Sequence, residues 1–297
     1  MKKETFFEGT RGRLAFNLSL AAFGVLAFTS QGQAQNQTLS NGGSSASFNL
    51  GGTGTGTLGM NSWMVDNDPG VSQLDQQWFW YSVNTGSGWS GVQPINQLGA
   101  ASLSGVSANG FTATYQNSTM AVQVIYSLEG TGSGTGGADL FETVNVLNLS
   151  GANIGVNFYQ YGHFNLLQNN VNTVSIGGSL SGGYTFIQQT TMVGGNGIQE
   201  SINQPYANFA EAGAPTSVMN DVTSGSQLNG TTAYGPADAA WALEWNSTVS
   251  PFGGNAGNVW NVLQDQNMSI VPTPEPSTIA LIAMGLGALV MARRRSA

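Results

Sequence analysis

The sequence predicts an all-β protein, an antiparallel β-sandwich or jelly-roll-like domain carried between two short apolar terminal segments. Three observations carry that prediction. Apolar residues recur at every second position in many short runs, Gly/Asn/Ser clusters separate the runs, and no internal stretch shows a convincing amphipathic 3.6-residue period. The 42 glycines of the 297 residues suit such a chain. Glycine supplies positive φ in tight turns, while Asn and Ser bond locally to turn backbone. No fixed-period repeat is present, which argues against a solenoid or a propeller.

Residues 1–34 have the parts of a secretory signal peptide. Lys2, Lys3, Arg11 and Arg13 form a basic start, and Leu14 to Phe28 is apolar apart from Asn17 and Ser19. Gly32-Gln33-Ala34 then places small residues at −3 and −1 of a cleavage site, so signal peptidase is expected to cut between Ala34 and Gln35. Residues 35–59 form a Gly/Ser/Thr-rich lead that includes GGTGTGTLG. Phe48 and Leu50 alternate within it, which favours a first strand there.

The main domain is expected over residues 60–271. Met120, Val122, Val124, Tyr126 and Leu128 share one face of a predicted strand, and Ile154, Val156 and Phe158 share another. Trp241, Leu243 and Trp245 alternate with Ala242 and Glu244, which favours strand over helix. Further strands are expected at Phe111–Gln116, Phe141–Leu149, Val171–Ile176, Tyr184–Val193 and Val259–Ile270.

Charge excludes whole classes of function. All seven basic residues lie at the two ends, so the span from Gln35 to Pro276 has thirteen carboxylates and neither lysine nor arginine. Nucleic-acid binding rests on neutralising phosphates with Lys or Arg, so no nucleic-acid partner is expected. A P-loop, a lysine Schiff base and an arginine phosphate clamp are excluded for the same reason. The carboxylates must be solvated, accept neutral hydrogen bonds or bind cations. Cysteine is absent, which removes disulfides and thiolate zinc sites.

Few residue groups suggest a site. Trp78-Phe79-Trp80-Tyr81 is the densest aromatic cluster, with Trp89 nearby. Trp78, Trp80 and Trp89 are candidates for stacking on sugar rings, although alternation along a strand fits a core role for the first two better. Asp66, Asn67 and Asp68 cluster oxygen ligands before Pro69-Gly70, but without EF-hand spacing. A turn is the preferred reading, with Ca2+ the only cofactor these residues admit. His163 is the single histidine, and no G-x-S-x-G elbow accompanies it. Carboxylate pairs such as Asp139 with Glu142, or Glu200 with Glu211, suit glycoside hydrolysis in principle. Nothing in the sequence selects one pair, so no catalytic residue is assigned.

The last segment, 272–297, combines Pro274-Glu275-Pro276, fourteen apolar or small residues from Ile279 to Ala292, and Arg293, Arg294 and Arg295. As a helix the run extends about 21 Å, short for a hydrocarbon core of about 30 Å. The arginines favour the cytoplasmic side, which places the main domain outside. In order and composition the segment resembles the PEP-CTERM sorting signal, a tail of exported proteins in Gram-negative bacteria, often those making exopolysaccharide. The resemblance implies transient inner-membrane insertion through a short transmembrane sorting helix. It also implies recognition of Pro274, Glu275 and Pro276 by an exosortase, and delivery to the cell surface or beyond.

Taken together, the residues lead to the expectation of an exported, non-enzymatic envelope or exopolysaccharide-matrix protein. The alternatives are a carbohydrate-binding module with an aromatic platform, and a secreted glycoside hydrolase or lyase. The charge map also yields a direct test. Trypsin is expected to leave residues 35–276 whole even after denaturation, and an internal tryptic peptide in a mass spectrum would refute this.

Overall fold

A computed structural model describes residues 36–51, 57–65, 70–132, 134–169, 171–192, 196–252 and 259–270. The first strands are β1 (Asn36–Asn41), β2 (Ser44–Asn49), β3 (Gly59–Met64), β4 (Leu74–Asn84) and the short β5 (Gln93–Pro94). A meander follows, of β6 (Ser102–Ser104), β7 (Gly110–Gln116), β8 (Met120–Gly130) and β9 (Gly137–Asn148). Next come β10 (Ile154–Phe164), β11 (Asn172–Ser179), β12 (Gly183–Thr191) and β13 (Gly197–Ile202). The described chain ends with β14 (Phe209–Gly213), α1 (Pro215–Ser224), β15 (Ala233–Ala237), β16 (Ala240–Val249) and β17 (Val259–Ser269).

These strands make two antiparallel sheets, the sandwich architecture expected from the alternation. Sheet A has the order β1-β2-β3-β4-β10-β16-β14, with β5 beside β4, and sheet B the order β15-β11-β12-β13-β17-β9-β8-β7-β6. Met120, Val122, Val124, Tyr126 and Leu128 are all buried, as their period-two spacing requires. Phe79 stacks on Phe158, and Trp241 lies nearly parallel to Phe164. Gly162 makes room for that indole, since a Cβ there would meet the Trp241 ring at 2.3 Å.

Two expectations need correction. The strand expected around Phe48 is present as β2, but the sheet begins earlier than the boundary at residue 60, because β1 pairs with β2 within the Gly/Ser/Thr-rich lead and the two bury Leu39, Ala46 and Phe48. Their alternating polar positions are Ser, Thr and Asn, so the hairpin resembles a linker in composition. There is also an amphipathic helix. Pro215 presets the first turn of α1, Gly225 closes it at φ 72, and Val218 and Val222 bury one turn apart. Ten residues rich in Ser, Thr, Asn and Asp carry little helical propensity, so the sheet beneath stabilises the helix.

Between the sheets lies a polar layer. Gln77 of β4 and Gln266 of β17 both donate to Glu142 Oε2 of β9, at 2.7 and 3.1 Å. Gln160 of β10 donates to Glu200 Oε2 of β13 at 3.4 Å and accepts from Gln264. All six side chains are at most 3% exposed. Burial raises the Glu142 carboxyl to about 8, against the Gln77 hydrogen bond that lowers it. Glu200 is raised well above the ordinary range, first by burial and then by Glu142.

The folded state therefore holds protons that the unfolded chain releases near pH 4.5. Folded carboxyls raised in this way contribute full stability below the unfolded pKa and lose it as pH rises toward the folded value. In metal-free buffer, stability should fall from pH 5 to pH 8, by about 1.4 kcal/mol per pH unit for each such carboxyl. Urea denaturation across that range measures it, and Glu142→Gln should flatten the slope. A rise in stability over the same range would contradict the assignment.

Candidate functional site

The aromatic cluster divides by burial. Trp78 is fully buried and Trp80 is 6% exposed, so neither offers a face to a sugar. Strand β4 sits inside sheet A between β3 and β10, and its rings pack edge-on against neighbours: Trp78 on Tyr115, Trp80 on Tyr161. The stacking role considered for these two residues gives way to core packing, the reading their alternation along the strand favoured. Trp89 remains, 53% exposed.

Local structure holds Trp89 in place. The Asn84 side chain accepts hydrogen bonds from the Gly86 and Gly88 amides, at 2.8 and 3.3 Å, and so shapes the loop after β4. Ser90 N donates to Val83 O, Ser90 Oγ accepts from Val83 N, and Trp89 itself bridges to Asn84. The indole lies over Gly155 at the start of β10, where a Cβ would come within 3.1 Å of the ring. A Cβ at position 155 would press the ring outward by a few tenths of an ångström. The Cη2–Cζ2 edge of the indole thus lies against the main chain of Gly155, and about half of the residue is open to solvent.

The same face of sheet A continues as a polar row. Asn157 lies two residues beyond Gly155 on β10, opposite Ser82 of β4 and Asn246 of β16. With its amide turned so that nitrogen faces the neighbouring oxygens, Asn246 donates to Glu244 Oε1 at 2.9 Å and to Asn157 Oδ1 at 3.2 Å. Asn208 Oδ1 accepts from Asn246 N at 2.7 Å. Asn208 also lines a shallow open depression of about 620 Å³, whose walls include Leu180, Gln204, Pro205 and Tyr206. Two strand spacings, from β10 across β16 to the β14 edge and about 10 Å in all, thus separate the indole from the depression, with neutral amides between them.

Behind the row stand two buried carboxyls. Glu244 of β16 accepts from Leu228 N at 3.2 Å, and burial raises its pKa. Glu211 of β14 pairs opposite Ala242, which makes it the diagonal neighbour of Glu244 on this face. Burial raises Glu211 also, with Asp221 of α1 adding to the shift and the Asn229 amide opposing it. Burial also lifts Tyr159, opposite Glu244, to about 12.

The other residues singled out in the sequence are dispersed. His163 lies between Asp238, at 2.8 Å from Nε2, and Asp75, at 3.6 Å from Nδ1. Both ring nitrogens are engaged, so the histidine ties β4 to the turn before β16. Asp139 bonds to Asn267 on the outside of sheet B while Glu142 is buried, and Glu200 and Glu211 belong to different sheets. Neither pair forms a catalytic couple. Ala34, Gln35, Asp66, Asn67, Asp68, Pro274, Glu275, Pro276 and Arg293 to Arg295 fall outside the described residues. The same holds for the sorting helix, and among the described residues no helix is long and apolar enough to cross a membrane.

Comparison with known proteins adds an address and a fold. Residues 272–296 carry a PEP-CTERM protein-sorting motif. The chain is therefore exported with a sorting tail and is a substrate for exosortase processing. No curated protein sequence matches it. Among solved structures, a bacterial glucoamylase complexed with acarbose aligns over 86% of this chain with TM-score 0.50 and 8% identity. The alignment takes in only 36% of the glucoamylase, so this chain corresponds to about a third of it. A candidate aldose 1-epimerase from Escherichia coli K12 aligns at TM-score 0.45 and 11% identity, over 79% of this chain and 98% of its own. A galactose mutarotase related enzyme from Lactobacillus acidophilus gives 0.48 and 9%, over 80% and 98%.

The glucoamylase likeness establishes the fold, and it corrects the expectation of a non-enzymatic protein. The architecture also occurs within a carbohydrate-processing enzyme, so missing triad and metal motifs do not set this chain apart from enzymes.

Proposed function

We propose that the exported β domain binds a neutral glycan on the outer face of sheet A, between Trp89 and the depression at Tyr206. The observation that carries this reading is the Trp89 ring, half-exposed and seated on Gly155. A flat ring offers an apolar surface to the C–H face of a sugar, and its rigid mounting keeps the entropic cost of binding low. Asn157, Asn246 and Asn208 supply both donors and acceptors for hydroxyl groups. The domain has no cation to attract an anionic polymer, so a neutral ligand fits best. The glucoamylase, complexed with acarbose, lends this reading support in substrate class only.

Affinity electrophoresis against neutral and anionic polysaccharides tests it. Trp89→Ala should weaken retention by a neutral glycan about tenfold, the scale of one buried aromatic contact. Circular dichroism should be unchanged, and added salt should have little effect. Wild-type retention by Trp89→Ala, or retention only by anionic polymers, would overturn the proposal.

A second reading, cleavage on the same face, rests on Glu211 and Glu244. As diagonal neighbours across adjacent strands, their Cα atoms stand about 7–8 Å apart, which lets the two carboxyls approach the separations that glycosidases use. It requires the segment around Leu228 to open, since both side chains are 2% exposed. Release of new reducing ends, abolished by Glu244→Gln, would support cleavage. Binding without release would reject it.

A further inference from the structure

The polar layer between the sheets has more oxygen acceptors than the donors reaching them satisfy. Gln77 Oε1, Gln264 Oε1, Gln266 Oε1 and Glu200 Oε1 are buried without a hydrogen-bond partner among the described residues. They are close-set. Gln77 and Gln266 hang their amides from the same Glu142 oxygen, and Gln266 stands directly opposite Glu200 in the β13–β17 register. Gln264 stands opposite Glu142 and bonds to Gln160, which in turn holds Glu200. Five strands from both sheets thus contribute to one cluster of amide and carboxyl oxygens.

Buried oxygens left unmatched cost about 1–3 kcal/mol each; protons on Glu142 and Glu200 can serve two of the four at low pH, and once those protons leave, the cluster calls for an electron-pair acceptor shared among its oxygens. The sequence limits what that acceptor can be. No lysine or arginine exists in the domain, and the lone histidine is committed to Asp75 and Asp238. No three carboxylates or imidazoles converge among the described residues, so a cation here would draw on amide oxygens as well. Two glutamates and several glutamine carbonyls are a hard, all-oxygen set. Calcium accepts six to eight such ligands in irregular geometry, whereas magnesium demands an octahedron and keeps its waters.

We propose that Glu142, Glu200, Gln77, Gln264 and Gln266 form an internal Ca2+ site that ties sheet A to sheet B. Two carboxylates balance the charge of one divalent ion in a core with no other counter-charge. Protons compete for the same carboxyls. The titratable groups packed around them are Tyr126 of β8, opposite Glu142, Tyr115 of β7 beside Tyr126, and Asp265 of β17 near Glu200. Sheet A presents only amides to the cluster, Gln77 and Gln160. Calcium should therefore hold better at pH 8 than at pH 5.

Thermal denaturation of the full chain, refolded in EDTA and titrated with CaCl2 or MgCl2, tests the site. At pH 8, calcium should raise Tm by about 5 °C or more at saturation, and magnesium should do less. The shift should shrink at pH 5, vanish in Glu142→Gln/Glu200→Gln, and survive in Asp66→Asn/Asp68→Asn. No shift with millimolar calcium would overturn the proposal. So would a shift that persists in the double glutamine variant or disappears in the asparagine variant. Should the glutamine variant fail to fold, emission spectrometry decides on wild type: after refolding at pH 8 with calcium and dialysis, about one ion per chain supports the site, and none rejects it.

Discussion

No lysine or arginine lies between Gln35 and Pro276, so each carboxyl enclosed by the two sheets has to be neutralised by something other than an ion pair with such a residue of the domain. An uncompensated buried charge is among the most destabilising things a core can contain. The protein meets this constraint with glutamine. Gln77, Gln160, Gln264 and Gln266 surround Glu142 and Glu200 with amides, and the main-chain amides of Leu228 and Asn229 serve Glu244 and Glu211. Neutral donors stabilise a carboxylate less than a guanidinium does, and burial consequently wins. The pKa values of Glu142, Glu200, Glu211, Glu244 and Asp265 all rise. A domain built this way is favoured by protons or cations, the reverse of ordinary acid denaturation through broken salt bridges.

The same economy shapes the aromatic packing. Sheet A commits Phe79, Phe158, Phe164, Trp241 and Trp245 to ring contacts, with Gly162 removing a side chain where an indole must lie close to the backbone. Gly155 does for Trp89 what Gly162 does for Trp241. The difference is that, among the described residues, Trp89 remains about half exposed. One local device, an indole laid across a glycine, thus serves the core at one end of β10 and the proposed recognition surface at the other.

Much of the sheet framework was legible in the sequence because alternation and burial coincide there. Met120 to Leu128 and Ile154 to Phe158 read correctly since one face of each strand is apolar. β1, β3, β13 and β15 did not, because Thr38, Asn61, Glu200 and Pro236 interrupt the apolar pattern that marks a strand. The two sheets stabilise these segments through pairing rather than propensity. The site was partly legible. The spacing of Trp78 and Trp80 on one strand pointed to the core, but nothing local told Trp89 apart from them. Its exposure depends on Gly155, some 66 residues away in sequence. Asn157, Asn246 and Asn208 were missed among many similar asparagines, and only sheet register brings them into one row. Glu142 and Glu200 were noted as carboxyls, yet their amide partners lie on other strands and carry no spacing signal.

The missing cations also bear on selectivity. Proteins that hold acidic polysaccharides do so with Arg and Lys, whose attraction is long-ranged and tolerant of geometry. A surface of amides, hydroxyls and one indole has no such reach. Hydrogen bonds and stacking operate only at contact, so on the proposed glycan surface discrimination would come from the fit of hydroxyl positions to Asn157, Asn246 and Asn208. A net-acidic domain also repels acidic polymers generally. Exported with the tail at 272–296, a domain that binds glycans as proposed would remain apart from anionic chains and engage neutral ones, with its recognition set by shape where a basic protein's would be set by charge.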